Sequence, residues 1–272
     1  MSPSLAVLSV ALTAPVLLLL LYSLWTQRGL ELDTTATLDQ YGAVVGREFY
    51  RSLFLRSVGI SSLVTLVTVA LAYPMAYFVA FKVKRRKFIW LVLLNIPFWT
   101  SYLLRVYAWM TILGERGLIN RGLMNIGVVD TPVRFLLYND YSVVLVAVYL
   151  YIPYSALALY TNLERLDRSL IRAAMDLGAR PLQVLVHVLL PLMLPGIFAS
   201  FIFVFIPMLG EYVTPTIIGG AHGLMIVNVI VSQIQALRFG IGSAMVFVLV
   251  GLILLLVLAL RKAARLEKIY GF

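Results

Sequence analysis

The chain has 272 residues, 62% of them hydrophobic, with a mean hydropathy of +0.97. That composition excludes an ordinary soluble domain and indicates an all-α polytopic membrane protein. A net charge of +10 is carried without a single cysteine, which excludes disulfides, Cys-ligated metals and thiol nucleophiles.

Six stretches are long and apolar enough to span a bilayer, approximately residues 5–25, 58–81, 88–113, 141–160, 184–209 and 241–260. The first lacks a charged leading region and a small-residue cleavage site, so it reads as a retained helix rather than a signal peptide. Residues 26–57 are polar and carry Tyr41, Phe49, Tyr50 and Phe54, which suits a segment folded along the outer surface. Lys82, Lys84, Arg85, Arg86 and Lys87 then put five cations into six residues. The third stretch contains Arg105 about two-thirds along. Its readings are a pathway residue, an ion-pair partner of Glu211, or a side chain snorkelling to the nearer head groups. Trp99, Tyr102, Tyr107, Trp109, Tyr149, Tyr151 and Tyr154 suit cation–π contact with an ammonium solute, and for most of them the aromatic belt of a membrane interface is the better reading. Trp99 and Tyr154 each neighbour a proline (Pro97, Pro153) that would bend its helix.

Residues 163–195 are the most informative segment. Leu166, Leu170, Ala173 or Ala174, and Leu177 recur at helical spacing, while Glu164, Arg168, Arg172, Asp176 and Arg180 follow at i,i+4 on another side. Glu164–Arg168 and Arg172–Asp176 are opposite-sign pairs at that spacing. Asp167 is placed to cap the helix start, Gly178 to end it in a left-handed conformation, and Pro181 to open the next helix. The spacing predicts a surface helix of about ten residues, roughly 15 Å long, over 167–177. It runs into a fifth span punctuated by Pro191, Pro195 and Pro207, where missing amides allow bends. Past that span Glu211 stands before a Pro/Gly loop, as an acid facing a cationic solute or as a cap that holds the loop. The apolar run 224–237 is too short to cross and reads as a re-entrant half-helix.

The cations of 82–87, those of 164–183 (Arg165, Arg168, Arg172, Arg180) and those of the C-terminus (Arg261, Lys262, Arg265, Lys268) fall on one side of a six-span chain. The positive-inside rule makes that side, and both termini, cytoplasmic. The charge is thereby accounted for by topology and anionic membrane lipid, and no nucleic-acid partner is needed. His187 and His222 fall on opposite sides, so no metal pair is expected, and no Gly-rich phosphate loop, catalytic triad or metal motif is present in the sequence.

Ala173-Ala174, Gly178, Val188, Leu190 and Pro191 resemble the EAA loop of bacterial ABC importer permeases, a pattern of E-A-A, three residues, G, nine residues, I-x-L-P. Arg172 stands where that family usually has Glu. Pro97-Phe98-Trp99-Thr100-Ser101 with Arg105, Tyr107-Ala108-Trp109, and Gly210 to Pro215 resemble its spermidine/putrescine-type branch, and the likeness covers about residues 57–261. The resemblance implies a single transmembrane domain with the type I importer permease fold, and a coupling helix near 167–177 that docks on an ATPase subunit. It implies a second permease subunit, two cytoplasmic ATPase subunits holding ATP and Mg, and a periplasmic binding protein. No cofactor is expected in this chain and no enzymatic role. The implied coupling residues are Asp167, Arg168, Arg172, Ala173, Ala174, Asp176, Gly178 and Pro191. The implied solute is a polyamine, with opines or amino-acid derivatives as alternatives. An ion-coupled secondary transporter would need paired acids at mid-membrane, which are scarce here, and a membrane enzyme would need a catalytic grouping.

Overall fold

The computed structural model describes residues 3–28 and 31–270; the side chains of His222, Arg261, Arg265 and Lys268 lie outside the described residues. In chain order the elements are α1 (Pro3–Leu24), the antiparallel strands β1 (Trp25–Arg28) and β2 (Glu31–Ala36), α2 (Asp39–Gly46) and α3 (Glu48–Tyr77), which a π-helical turn (Phe78–Lys82) extends. There follow α4 (Lys87–Asn95), a 3-10 turn (Ile96–Trp99), α5 (Tyr102–Leu113), α6 (Leu118–Asn125), α7 (Asp140–Glu164) and α8 (Arg168–Asp176). Next come α9 (Pro181–Val184), a π-helical turn (Leu185–Leu189), α10 (Leu190–Leu209), a further π-helical turn (Pro215–Gly219), α11 (Ile226–Gln235) and α12 (Phe239–Tyr270).

Five helical segments are long and apolar enough to cross a membrane: Val7–Leu24, Glu48–Lys82, Asp140–Glu164, Pro181–Leu209 and Phe239–Ala259. The stretch expected at 88–113 is not one straight helix, because Lys87–Trp99 and Tyr102–Asn125 meet at 83°. Pro97 has no amide to donate, so the helix tightens into a 3-10 turn. Thr100 and Ser101 then run extended before α5 begins. Counting that bent pair as one span gives six. The polar segment after α1 holds a hairpin and a short helix, and the second span starts at Glu48, ten residues before the hydropathy pattern alone suggested.

The chain packs as two units. The first comprises Met1–Val58 and Leu224–Leu256. Here α1 leaves Val7, Leu8, Val10, Leu12 and Val16 exposed, a surface fit for lipid. The Ser23 hydroxyl meets the Tyr41 hydroxyl at 2.8 Å, and the Ile226 amide donates to Ser57 Oγ at 2.8 Å. The half-helix expected in 224–237 is present as α11.

The second unit comprises Gly59–Gly223 and Val257–Phe272. Ala72 and Ala76 of α3 and Ala80 of the following π-helical turn pack with Ala156, Leu159 and Leu163 of α7 and Met193 of α10. Small residues at every fourth position let these helices approach closely, the usual device where lipid removes a hydrophobic drive between helices. Gly196 of α10 sits against Asn162 of α7, and Ser155 Oγ meets Ser200 Oγ at 2.6 Å between the same two helices.

Candidate functional site

The surface helix α8 is delimited as its residues dictate. Asp167 Oδ1 accepts the Ser169 amide at 2.9 Å, and hydrogen bonds from Ser169, helped by the charge of Arg172, hold the carboxyl below the usual carboxylate range. At the other end Gly178 has φ of +86°. Its amide reaches the Met175 carbonyl at 2.9 Å and the Ala179 amide reaches that of Ala174 at 3.0 Å, the paired bonds of a Schellman motif. The Arg180 amide then donates to Gln183 Oε1 at 2.8 Å, and Pro181 opens α9. Pro191 lies at the second position of α10, just past a π-helical turn in which the Leu190 amide reaches back to the Leu185 carbonyl.

The apolar stripe is divided differently from the simple periodic reading. Ile171 and Met175 line an apolar cleft of about 390 Å³ with Tyr73, Tyr77, Pro181 and Leu185. Leu170 and Leu177 point outward, Leu177 at 89% exposure, beside exposed Arg172, Ala173 and Asp176. The segment holds two apolar rows about 100° apart, and only one meets the rest of the unit.

Neither expected ion pair forms among the described residues. Helix α7 ends at Glu164 and Asp167 starts a new helix, so Glu164 and Arg168 do not share a helical face. Glu164 instead pairs with Lys87, whose Nζ lies 2.8 Å from both carboxylate oxygens. Lys87 Nζ and Arg168 Nη2 both donate to the Ala80 carbonyl, at 2.9 and 2.8 Å, and the Arg168 guanidinium lies 5.3 Å from the Phe81 ring centre. This junction was not legible in the sequence, because a backbone carbonyl that accepts two cations in a π-helical turn has no residue signature.

A second grouping lies where α5, α7 and α10 meet. Tyr102, Arg105, Tyr151, Tyr154, Phe203 and Pro207 line most of a cavity of about 420 Å³. The Arg105 guanidinium stands 4.9 Å from the Phe98 ring centre and 5.8 Å from that of Tyr102, and its buried Nε has no hydrogen-bond partner. Tyr154 packs edge-on to Phe98 at 4.2 Å. Glu211, at 9% exposure, stands behind this wall. Its Oε1 accepts the Val213 and Thr214 amides at 2.9 and 3.2 Å, and its Oε2 accepts the Tyr151 hydroxyl at 3.2 Å. The Tyr102 hydroxyl meets Thr214 Oγ1 at 2.7 Å.

Glu211 therefore caps the turn that follows it, one of its two sequence readings. No ion pair joins it to Arg105 among the described residues: its oxygens are taken by amides and a phenol, and the guanidinium rests on aromatic faces. Of the residues singled out in the sequence, the cavity brings together Tyr102, Arg105, Tyr151 and Tyr154. Trp99, at 78% exposure, and Tyr107, at 50%, are not among its lining residues.

Apolar spans, a surface helix held between two of them, and a polar and aromatic cavity within the bundle define a subunit of a membrane transport system. The chain belongs to the family described as binding-protein-dependent transport system inner membrane component, which matches residues 3–267. It is thus a multi-pass inner-membrane transport component and not an enzyme. It is 35% identical over 223 residues to the spermidine/putrescine transport system permease protein PotB of Escherichia coli K12, covering 80% of each chain. It is 34% identical over 214 residues to the inner membrane ABC transporter permease protein YdcU of the same organism, covering 75% of this chain and 68% of that one. Among solved structures, a chain of the bacterial alginate ABC transporter, in complex with an alginate pentasaccharide-bound periplasmic protein, superposes with a TM-score of 0.79. That match covers 98% of this chain and 93% of the other at 15% identity, a likeness of fold.

Proposed function

We propose that this chain forms half of the translocation pathway of an ATP-driven importer for a polyamine such as putrescine or spermidine. The solute is delivered by a periplasmic binding protein, the chain pairs with a second permease, and two ATPase subunits holding ATP and Mg act from the cytoplasm, where both termini lie. The observation that carries the solute is the likeness to spermidine/putrescine permeases over 80% of both chains. The rings of Tyr102, Tyr151, Tyr154 and Phe203 around one cavity suit an ammonium group. The outward row of Leu170, Ala173 and Leu177, with Arg172 and Asp176, is the surface offered to the ATPase. Asp167 and Gly178 fix its ends, and Arg168 ties it to Ala80, so that movement of α8 reaches α3 and α4. Arg172, a base where the family has an acid, calls for an acid on the ATPase at that point.

A second reading follows from Arg105. A guanidinium that lines the cavity without an acid partner among the described residues suits a solute bearing a carboxylate, such as an opine or amino-acid derivative. Labelled spermidine uptake into proteoliposomes holding the whole importer, with Arg105→Gln and Glu211→Gln variants, separates the two. A polyamine importer shows saturable spermidine uptake that Arg105→Gln preserves and Glu211→Gln lowers. A carboxylate importer shows no spermidine uptake, and Arg105→Gln abolishes transport of its own solute.

A further inference from the structure

We propose that a cavity at the junction of β1, α2 and the start of α12 binds the phosphate head group of an anionic phospholipid. The cavity has a volume of about 490 Å³ and is lined by Gln27, Gln40, Arg47, Tyr50, Leu237 and Arg238, with no acid among its lining residues. Neither the Arg47 nor the Arg238 guanidinium has a hydrogen-bond, ion-pair or ring partner among the described residues. Two positive charges thus face one space, with no acid among its lining residues and no ion pair to either among the described residues. The frame around them is fixed. Gln27 donates to the Leu237 carbonyl and accepts the Gly240 amide, and Leu237 is held at φ of +59°. A guanidinium is a planar fork that matches phosphate oxygens two at a time.

The level of the cavity selects a lipid over a protein carboxylate. Helix α1 presents exposed apolar side chains from Val7 to Leu21 and ends at Leu24; α12 begins at Phe239. Tyr22 packs on Trp25 at 5.8 Å and on Phe239 at 5.5 Å, an aromatic cluster of the kind that marks a membrane–water boundary. Gln27 and Arg238 come immediately after and before these helix ends, so the cavity opens where phosphates lie, beside an apolar helix surface that acyl chains can cover.

The test is native mass spectrometry of the purified full-length chain in detergent, titrated with phosphatidylglycerol or phosphatidylethanolamine of identical acyl chains. The wild type is expected to retain phosphatidylglycerol about tenfold more tightly, and Arg47→Gln/Arg238→Gln to bind phosphatidylglycerol about tenfold more weakly, close to its retention of phosphatidylethanolamine. Arg47→Lys/Arg238→Lys, which keeps the charge and loses the fork, should fall between. It carries the test if the Gln variant fails to fold. Equal retention of the two lipids by the wild type, or a phosphatidylglycerol preference undiminished in the Gln variant, overturns the proposal. So does a Gln variant that keeps its lipid preference and loses association with the periplasmic binding protein, which would make the cavity a docking point for a protein carboxylate.

Discussion

Gly178 takes φ of +86°, and an added Cβ there would meet nothing within 4 Å. Substitution therefore costs backbone strain alone, about 1–2 kcal/mol for a residue forced into the left-handed region and more for a β-branched one. Relief of that strain would tilt α8, so Gly178→Val is expected to abolish ATP-driven uptake and weaken ATPase association while pairing with the second permease persists. Asn, which tolerates this conformation, should retain much of the activity. Normal solute-stimulated ATP hydrolysis in reconstituted Gly178→Val complexes would refute the role of the turn. Asp167 bears on pH. Its carboxyl is held below the ordinary value of 3.8, so its contribution is complete above that value and is lost as pH falls through the depressed one. Trypsin cleavage around Arg165 and Arg168, normalised at each pH to cleavage of an unstructured control peptide, should be flat between about pH 5.5 and 8. It should rise in Asp167→Ala and stay near wild type in Asp167→Asn, which still caps. A pH-dependent rise in wild type within that window would count against the cap.

Among elements, the α7–α10 pair depends on the absence of a side chain at Gly196. A Cβ built there would lie 2.7 Å from Asn162 Cβ and 2.8 Å from its Cγ. Gly196→Val is expected to destabilise the bundle by about 1–3 kcal/mol through overpacking. Asn162→Ala should recover much of the loss in thermal-shift measurements on the detergent-solubilised chain. A fully additive double variant would show that the two helices do not meet there. The π-helical turns have a common physical setting. One contains Pro215, one precedes Pro191 by two residues, and one begins four residues after Pro74. Proline removes a helix amide and crowds the carbonyl of the preceding turn, and before Pro191 the wider turn Leu185–Leu189 accommodates both. The break between α4 and α5 at Pro97 belongs with these.

For the whole molecule the absence of cysteine makes orientation directly measurable. Cysteines introduced singly at Lys84 and Ser169 should be shielded from an impermeant outside reagent in intact cells, and one at Asn125 should react. Labelling at Ser169 from outside would overturn the cytoplasmic placement of α8 and its docking role together. The asymmetry behind this expectation is local. Residues 82–87 carry five cations, whereas the eight Lys and Arg of the opposite side are spread over three segments.

Hydropathy, charge placement and capping chemistry are properties of neighbouring residues, and the sequence by itself determined what depends on them. The apolar stretches, the start of α8 at Asp167, its end at Gly178 and the short α11 were all legible in this way. The family was legible too, because its motif is a spacing. What only the tertiary structure decided depends on which residues, distant in the chain, come to face one another. Glu164 found Lys87 rather than Arg168, and Arg168 found the Ala80 carbonyl, a backbone atom without a side-chain signature. Glu211 found Tyr151 and two amides rather than Arg105. Helical periodicity shows that an apolar row exists, but not which row is buried, and so Leu177 was left outside while Ile171 turned in. A charge in a sequence has several partners of suitable sign within reach, and packing selects among them by geometry.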